Sequence, residues 1–263
     1  MRNSSKVWIL MLGFGVATAV TCAAASTPPP QATAAPLPSY IVRAIHDPAR
    51  AADRKDDARR KMAAVMRFSE VKPGDKVFEI EPGSGYWTRV FSQIVGPQGH
   101  VYQMWPTQWN HYYSKGLKLW LGLVKTPHYA NVSVLQQPAA DPAAPEKIDV
   151  AFTSENYHDF LDPFSGPVNM RHFDRRIYAM LKPGGLFIVI DNLAPPGAEA
   201  KDTNTLHRIG PNVVKRQVEA AGFVLDGSSD ALLNPKDPLT IKVFDPSIEG
   251  HVSQFMLRFR KPR

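Results

Sequence analysis

Asn156, Tyr157 and His158 stand in a row, and that run has residue types able to do chemistry. A carboxamide and a phenol can hold an acceptor nitrogen or oxygen, and an imidazole has the ordinary pKa of a base near neutrality. A second group lies upstream. Glu79 and Glu81 close the apolar run Val77, Phe78, Ile80 and lead into Pro82-Gly83-Ser84-Gly85-Tyr86. Glycines at 83 and 85 permit positive φ and let a ligand come close to the main chain. The amphipathic stretch from Trp87 to Val95 reads as a helix, whose first turn offers unpaired N–H groups to that ligand. Strand, glycine turn and helix in this order open a nucleotide-binding α/β sheet. The dinucleotide fingerprint requires a third glycine where Thr88 stands, so NAD and FAD are disfavoured.

Elements must carry these groups. Residues 50–67 read as one helix, with Ala58, Met62, Val65 and Met66 on one face. His100, Val101, Tyr102, Gln103 and Met104 read as the second strand, and residues 108–124 as an aromatic-rich helix. Residues 131–135 form a short third strand, 147–152 a fourth, and 171–181 a helix. Lys182-Pro183-Gly184-Gly185 then turns into the apolar run Leu186 to Ile190, which ends at Asp191. A helix from Val213 stops at Gly222, and 223–225 and 254–259 read as the last strands. The connection 230–250 between them is long enough to carry function. No internal repeat is present, and the eight histidines show no HExxH or comparable metal-ligand spacing.

The acid-x-x-x-Gly-x-Gly form at Glu79–Gly85 resembles motif I of the class I S-adenosylmethionine (SAM) methyltransferases. The Leu181-Lys182-Pro183-Gly184-Gly185 turn resembles that superfamily's entry into strand five, and Glu219-Ala220-Ala221-Gly222-Phe223 a pattern common in it. The mature chain also looks like a small bacterial group of exported, predicted methyltransferases, sharing Tyr157-His158-Asp159 and His207-Arg208. The resemblance implies a three-layer Rossmann-like α/β domain over 39–263, with a seven-stranded, mostly parallel sheet in the order 3-2-1-4-5-7-6. Residues 39–70 should form a helical cover. It further implies SAM as cofactor, held by Glu79, Glu81, Gly83, Ser84, Gly85, Tyr86 and Trp105, and methyl transfer to an oxygen or nitrogen of a small molecule near Asn156, Tyr157 and His158. The alternative is a ligand-binding protein of the same fold that has lost SAM catalysis.

Two positions depart from that pattern. Glu81 stands where many members have a glycine. Trp105 stands where an acid normally takes the ribose hydroxyls; either it covers the adenine face or it packs against the aromatic helix. His158 with Asp159 is alternatively a helix-capping pair. Arg208 suits a substrate carboxylate or phosphate, or else a salt bridge to Asp202 or a neighbour.

Composition narrows the partners. The chain has 31 Lys and Arg against 24 Asp and Glu, a net +7. Removing Arg2 and Lys6 leaves 29 against 24, or +5, with no long basic run, so no nucleic-acid partner is expected. Residues 1–25 read as a signal peptide: Arg2 and Lys6, an apolar run from Val7 to Val20, then Ala23-Ala24-Ala25. That run is too short for a permanent membrane span. Cleavage after Ala25 makes the protein periplasmic or secreted, the alternative being a lipid anchor on Cys22. Residues 26–38 read as a Pro/Ala-rich tether.

Overall fold

A computed structural model describes residues 36–198 and 200–263. The leader at 1–25 and the tether as far as residue 35 lie outside the described residues. Residues 37–263 form one compact unit. In chain order it contains α1 (Ser39–Ile45), α2 (Met62–Ser69), β1 (Lys76–Ile80), α3 (Tyr86–Val95), β2 (His100–Pro106), α4 (Asn110–Leu123) and β3 (Val132–Gln137). There follow β4 (Ile148–Ser154), α5 (Met170–Met180), β5 (Leu181–Asn192), α6 (Thr203–Leu206), α7 (Pro211–Ala220), β6 (Val224–Ser229) and β7 (Gln254–Arg260).

The sheet has seven strands in the order β3-β2-β1-β4-β5-β7-β6. β7 runs antiparallel to both β5 and β6, and the other pairings are parallel. Strand periodicity explains the layers, because successive side chains leave opposite faces of a sheet. Ile188 and Ile190 of β5 pack with α1, α2, α3 and α4 through Ile41, Met62, Val90 and Leu117. Phe187 and Val189 pack on the other face with Phe173 and Ile177 of α5 and Val214 and Val218 of α7. Helices thus cover both faces, and near-continuous apolar strands such as β5 are what such a sheet requires.

The expected helix over 50–67 is broken. Short 3-10 turns at Pro48–Arg50 and Arg54–Asp56 precede α2, and Lys61 is left-handed at φ 49. Side-chain pairs hold these turns in place of a helical ladder. Arg50 is fully buried, donating to the Ile45 carbonyl at 2.5 Å and to Asp57 at 2.7 Å. Asp53 meets Arg89 of α3 at 3.1 Å.

The strand order reverses between β1 and β4, and ligands in open α/β sheets bind beside such a switch, at the carboxyl ends of the strands. Glu79, Glu81 and Asn156 lie at that edge.

Candidate functional site

A cleft of about 1450 Å³ opens there. Its floor is the β1 end and turn (Glu79 to Ser84), with Tyr86 and Trp87 of α3. One wall is the segment after β4, including Glu155, Asn156, His158 and Asp159; the other is the connection after β6, including Leu232, Phe244 and His251.

The turn bends because its backbone is left-handed at three positions: Glu81 at φ 47, Gly83 at 57 and Gly85 at 81. At Glu81 that geometry explains why glycine suits the position. A non-glycine residue there costs roughly 1–2 kcal/mol, and the Glu81 carboxylate offsets part of it by accepting from the Gly83 N–H at 3.1 Å. Asn156 ties the turn to β4, its amide nitrogen donating to the carbonyls of Glu81 at 3.0 Å and Ser154 at 2.8 Å.

Glu79 is oriented by a buried relay. The Trp105 indole N–H donates to the Gln103 side-chain oxygen at 3.1 Å, the Gln103 amide donates to Thr88 at 2.8 Å, and the Thr88 hydroxyl donates to Glu79 Oε2 at 2.5 Å. Glu79 Oε1 and Glu81 Oε2 are buried without a hydrogen-bond partner. Burial pushes Glu79 up to about 7, against the Thr88 bond and the Arg89 charge, and Glu81 up to about 8. Two buried carboxyl groups held partly protonated, each with one oxygen unpartnered, favour a cationic ligand that stabilises their ionised forms.

The sequence-derived site is brought together in part. Glu79, Glu81, Gly83, Ser84, Tyr86, Asn156 and His158 all line the cleft. Gly85 does not. A Cβ on it would fall 2.1 Å from Trp120 Nε1 of α4, so the close approach this glycine permits is made by an indole. The same helix lies on Gly83, whose carbonyl would be 2.4 Å from a Cβ on Gly116. Trp105 packs in the core beside Gly116 and Trp120, 1% exposed, so the packing role holds and the adenine-covering one does not. Its indole instead anchors the relay to Glu79.

Tyr157 is a correction as well. It turns into the opposite core against Phe187, and its hydroxyl lies 2.9 Å from Asp174 and 3.1 Å from Gln217, so it cannot hold an acceptor. His158 faces the cleft, but not as a free base. Desolvation opposes its charge, yet Asp191 at 2.7 Å and Asp159 at 3.1 Å outweigh that and hold its pKa well above the usual imidazole value. As imidazolium in the free protein it has no lone pair to take a proton, and its two N–H groups are directed at Asp191 and Asp159. Arg208 forms a bidentate pair with Asp237, both bonds 2.9 Å and both groups buried, which leaves no free fork for a substrate anion.

Some cleft residues left no signal in sequence. Tyr113 reaches it from α4 because its non-helical φ/ψ kinks that helix. Burial and the nearby carboxylates of Asp159, Glu81 and Glu155 raise its phenol.

Comparison with known proteins adds to this geometry. The family model for protein-L-isoaspartate(D-aspartate) O-methyltransferase matches residues 52–105. A protein-L-isoaspartate O-methyltransferase of Ignicoccus hospitalis is 46% identical over 41 residues, covering 16% of this chain and 19% of that one. A demethylmenaquinone methyltransferase of Staphylococcus carnosus is 27% identical over 135 residues, 50% of this chain and 48% of its own. The chain thus spans half or less of the curated relatives it matches. Among solved structures, a SAM-dependent methyltransferase from Aquifex aeolicus superposes with a TM-score of 0.54 at 18% identity, over 84% of this chain and 97% of that one. The chain has a class I methyltransferase fold. The family-model match ends at Trp105, so it covers the β1 turn and the relay but neither Asn156 nor His158.

Proposed function

We propose that the protein binds SAM at the carboxyl ends of β1 and β4 and transfers its methyl group to an oxygen or nitrogen of a small-molecule acceptor. The observation that carries this reading is the pair of buried, unpartnered carboxylate oxygens, Glu79 Oε1 and Glu81 Oε2, lining the cleft. They fit the cationic methionine end of SAM. The β2 end fits its ribose less well, because Gln103 and Trp105 are committed to the relay and no acid stands there. Bound SAM supplies an electrophilic methyl on a sulfonium. The protein's part is to position the acceptor in line beside Asn156 and His158 in the cleft; a general base is optional in such a displacement.

Calorimetry of the full chain with SAM and S-adenosylhomocysteine tests this. SAM is expected to bind more tightly as pH rises through about 7 to 8, with proton release at pH 7, because the cation favours the ionised forms of Glu79 and Glu81. The homocysteine product lacks the sulfonium charge and should show a shallower dependence. Absence of heat from both ligands at millimolar concentration ends the reading.

The leader supports a second proposal, export with cleavage near Ala25 and action on an acceptor outside the cytoplasm. Fractionation should recover a chain beginning after Ala25 in the periplasm or medium. A cytoplasmic chain that keeps Met1 would refute it.

A further inference from the structure

We propose that His158 Nε2, His207 Nδ1 and Asp159 Oδ1 form a binding site for one divalent transition-metal ion of the Zn2+ class, with a coordination position open to the cleft. These atoms come from two loops, the turn after β4 and the residue after α6, and their mutual distances are the main argument. Nε2 of His158 is 3.1 Å from Asp159 Oδ1 and 3.3 Å from His207 Nδ1, which is 3.4 Å from the same Asp159 oxygen. All three pairs fall within one ligand set. Zinc bonds to nitrogen and oxygen of about 2.0–2.1 Å in a tetrahedron place neighbouring ligand atoms about 3.3 Å apart. The observed triangle therefore has the edges of one face of that tetrahedron. The alternative is hydrogen bonding from both rings to the one Asp159 oxygen, which would bring two ring N–H groups within 3.3 Å of each other.

The surroundings supply what such a ligand set needs. His158 Nδ1 lies 2.7 Å from Asp191 Oδ1, and the His158 backbone N–H donates to Asp191 Oδ2 at 2.8 Å. Asp191 is fully buried and also accepts from the Asn192 N–H at 2.7 Å. This carboxylate fixes the ring and directs Nε2 at the cluster, the arrangement that orients metal-bound imidazoles. Asp159, Asp162 and Asp191 are all buried, and neither oxygen of Asp162 has a hydrogen-bond partner. A dication would relieve that excess of buried negative charge. His207 is held left-handed at φ 53, a strained conformation for a non-glycine residue that delivers its ring to the cluster.

Two imidazoles and one carboxylate select zinc, iron or nickel over magnesium and calcium, which prefer oxygen shells. The His207 side chain is 18% exposed, against 2% and 8% for His158 and Asp159, so the open side of the triangle faces the cleft.

The site is tested separately from SAM binding, and a bound ion would displace the Nε2 proton that His158 carries in the free protein. The full chain, without a histidine tag and stripped with chelator, should be titrated with Co2+ and followed by its d–d absorption. Zn2+ would then be competed against the cobalt by calorimetry. The expected result is one equivalent bound with Kd at or below about 1 μM and visible bands of low-coordinate cobalt, undisturbed by millimolar Mg2+. His207→Gln should weaken binding at least 100-fold, and Asp191→Asn about 10- to 100-fold. If His158→Gln fails to fold, His207→Gln decides, being at the exposed corner. No stoichiometric binding of either metal below about 100 μM, or wild-type affinity in His207→Gln, would overturn the site. SAM heats are measured on stripped and loaded protein separately, so failure of one reading leaves the other standing.

Discussion

Arg208→Ala is expected to lower stability by about 3–5 kcal/mol, the loss seen when one partner of a buried ion pair is removed. Against a total of about 5–15 kcal/mol for a folded domain, that is at least about a fifth of what holds the chain together. The guanidinium is fully buried and makes four bonds: two to Asp237 at 2.9 Å, one to the Leu193 carbonyl at 3.0 Å and one to Ile241 at 3.1 Å. Without it, the Asp237 carboxylate keeps only the backbone N–H groups of Leu239 and Ser253. Asp237 anchors the 230–250 connection and its return into β7, so the cleft wall carrying Phe244 and His251 loosens too. Arg208→Lys keeps the charge but loses the fork, and should recover only part of the loss. Urea unfolding of the three proteins checks this, and an Arg208→Ala midpoint within experimental error of wild type would sink it.

The contrast between Arg208 and Glu79 shows what a sequence discloses. Glu79, Gly83 and the start of α3 form one local unit, in which apolar alternation, a glycine turn and an amphipathic run act over neighbouring residues. Local rules suffice for such a unit, and the β1 turn was legible for that reason. The strand order needed the family resemblance, since no local pattern says that β4 pairs with β1. Side-chain direction was not legible where tertiary contacts decide it. Tyr157 and His158 are adjacent, yet one turns to Asp174 in the core and the other to Asp191 at the cleft. Gly85 announced a close approach without saying that Trp120 makes it. The break at Lys61 follows from Arg50 and Arg89 capturing Asp57 and Asp53, partners that hydrophobic periodicity does not record. His207 joins Asp159 across 48 residues, and no spacing rule for metal ligands spans that.

Glu81→Gln is expected to move stability and SAM affinity in opposite directions. In the free protein burial raises this carboxyl from 4.5 to about 8, because its Oε2 has no partner and the negative charges of Asp159 and Glu79 lie nearby. A carboxyl raised on folding contributes fully below its unfolded pKa, and that contribution drains away as pH rises through the folded value. Glu81 should therefore take stability from the wild-type protein between about pH 4.5 and 8, contributing a slope of about 1.4 kcal/mol per pH interval of one beside the shares of Glu79 and Asp174, raised to about 7 and about 8. Glutamine carries no charge to bury, so Glu81→Gln should remove that share of the slope and be roughly 2 kcal/mol or more the stabler protein at about pH 8.5. Binding should go the other way. Losing a charge-assisted partner of a cation costs about 1.5–3 kcal/mol, or about 10- to 100-fold in SAM affinity, and the affinity should lose much of its rise with pH. Glu79→Gln should follow the same pattern with a smaller stability gain, since Glu79 is raised only to about 7 and the Thr88 hydroxyl already serves one oxygen. Thermal melts and SAM titrations from about pH 5 to 8.5 read both quantities on one preparation. A Glu81→Gln protein that is less stable at the alkaline end and binds SAM as wild type does would show that this carboxylate serves the turn through Gly83 and not the ligand.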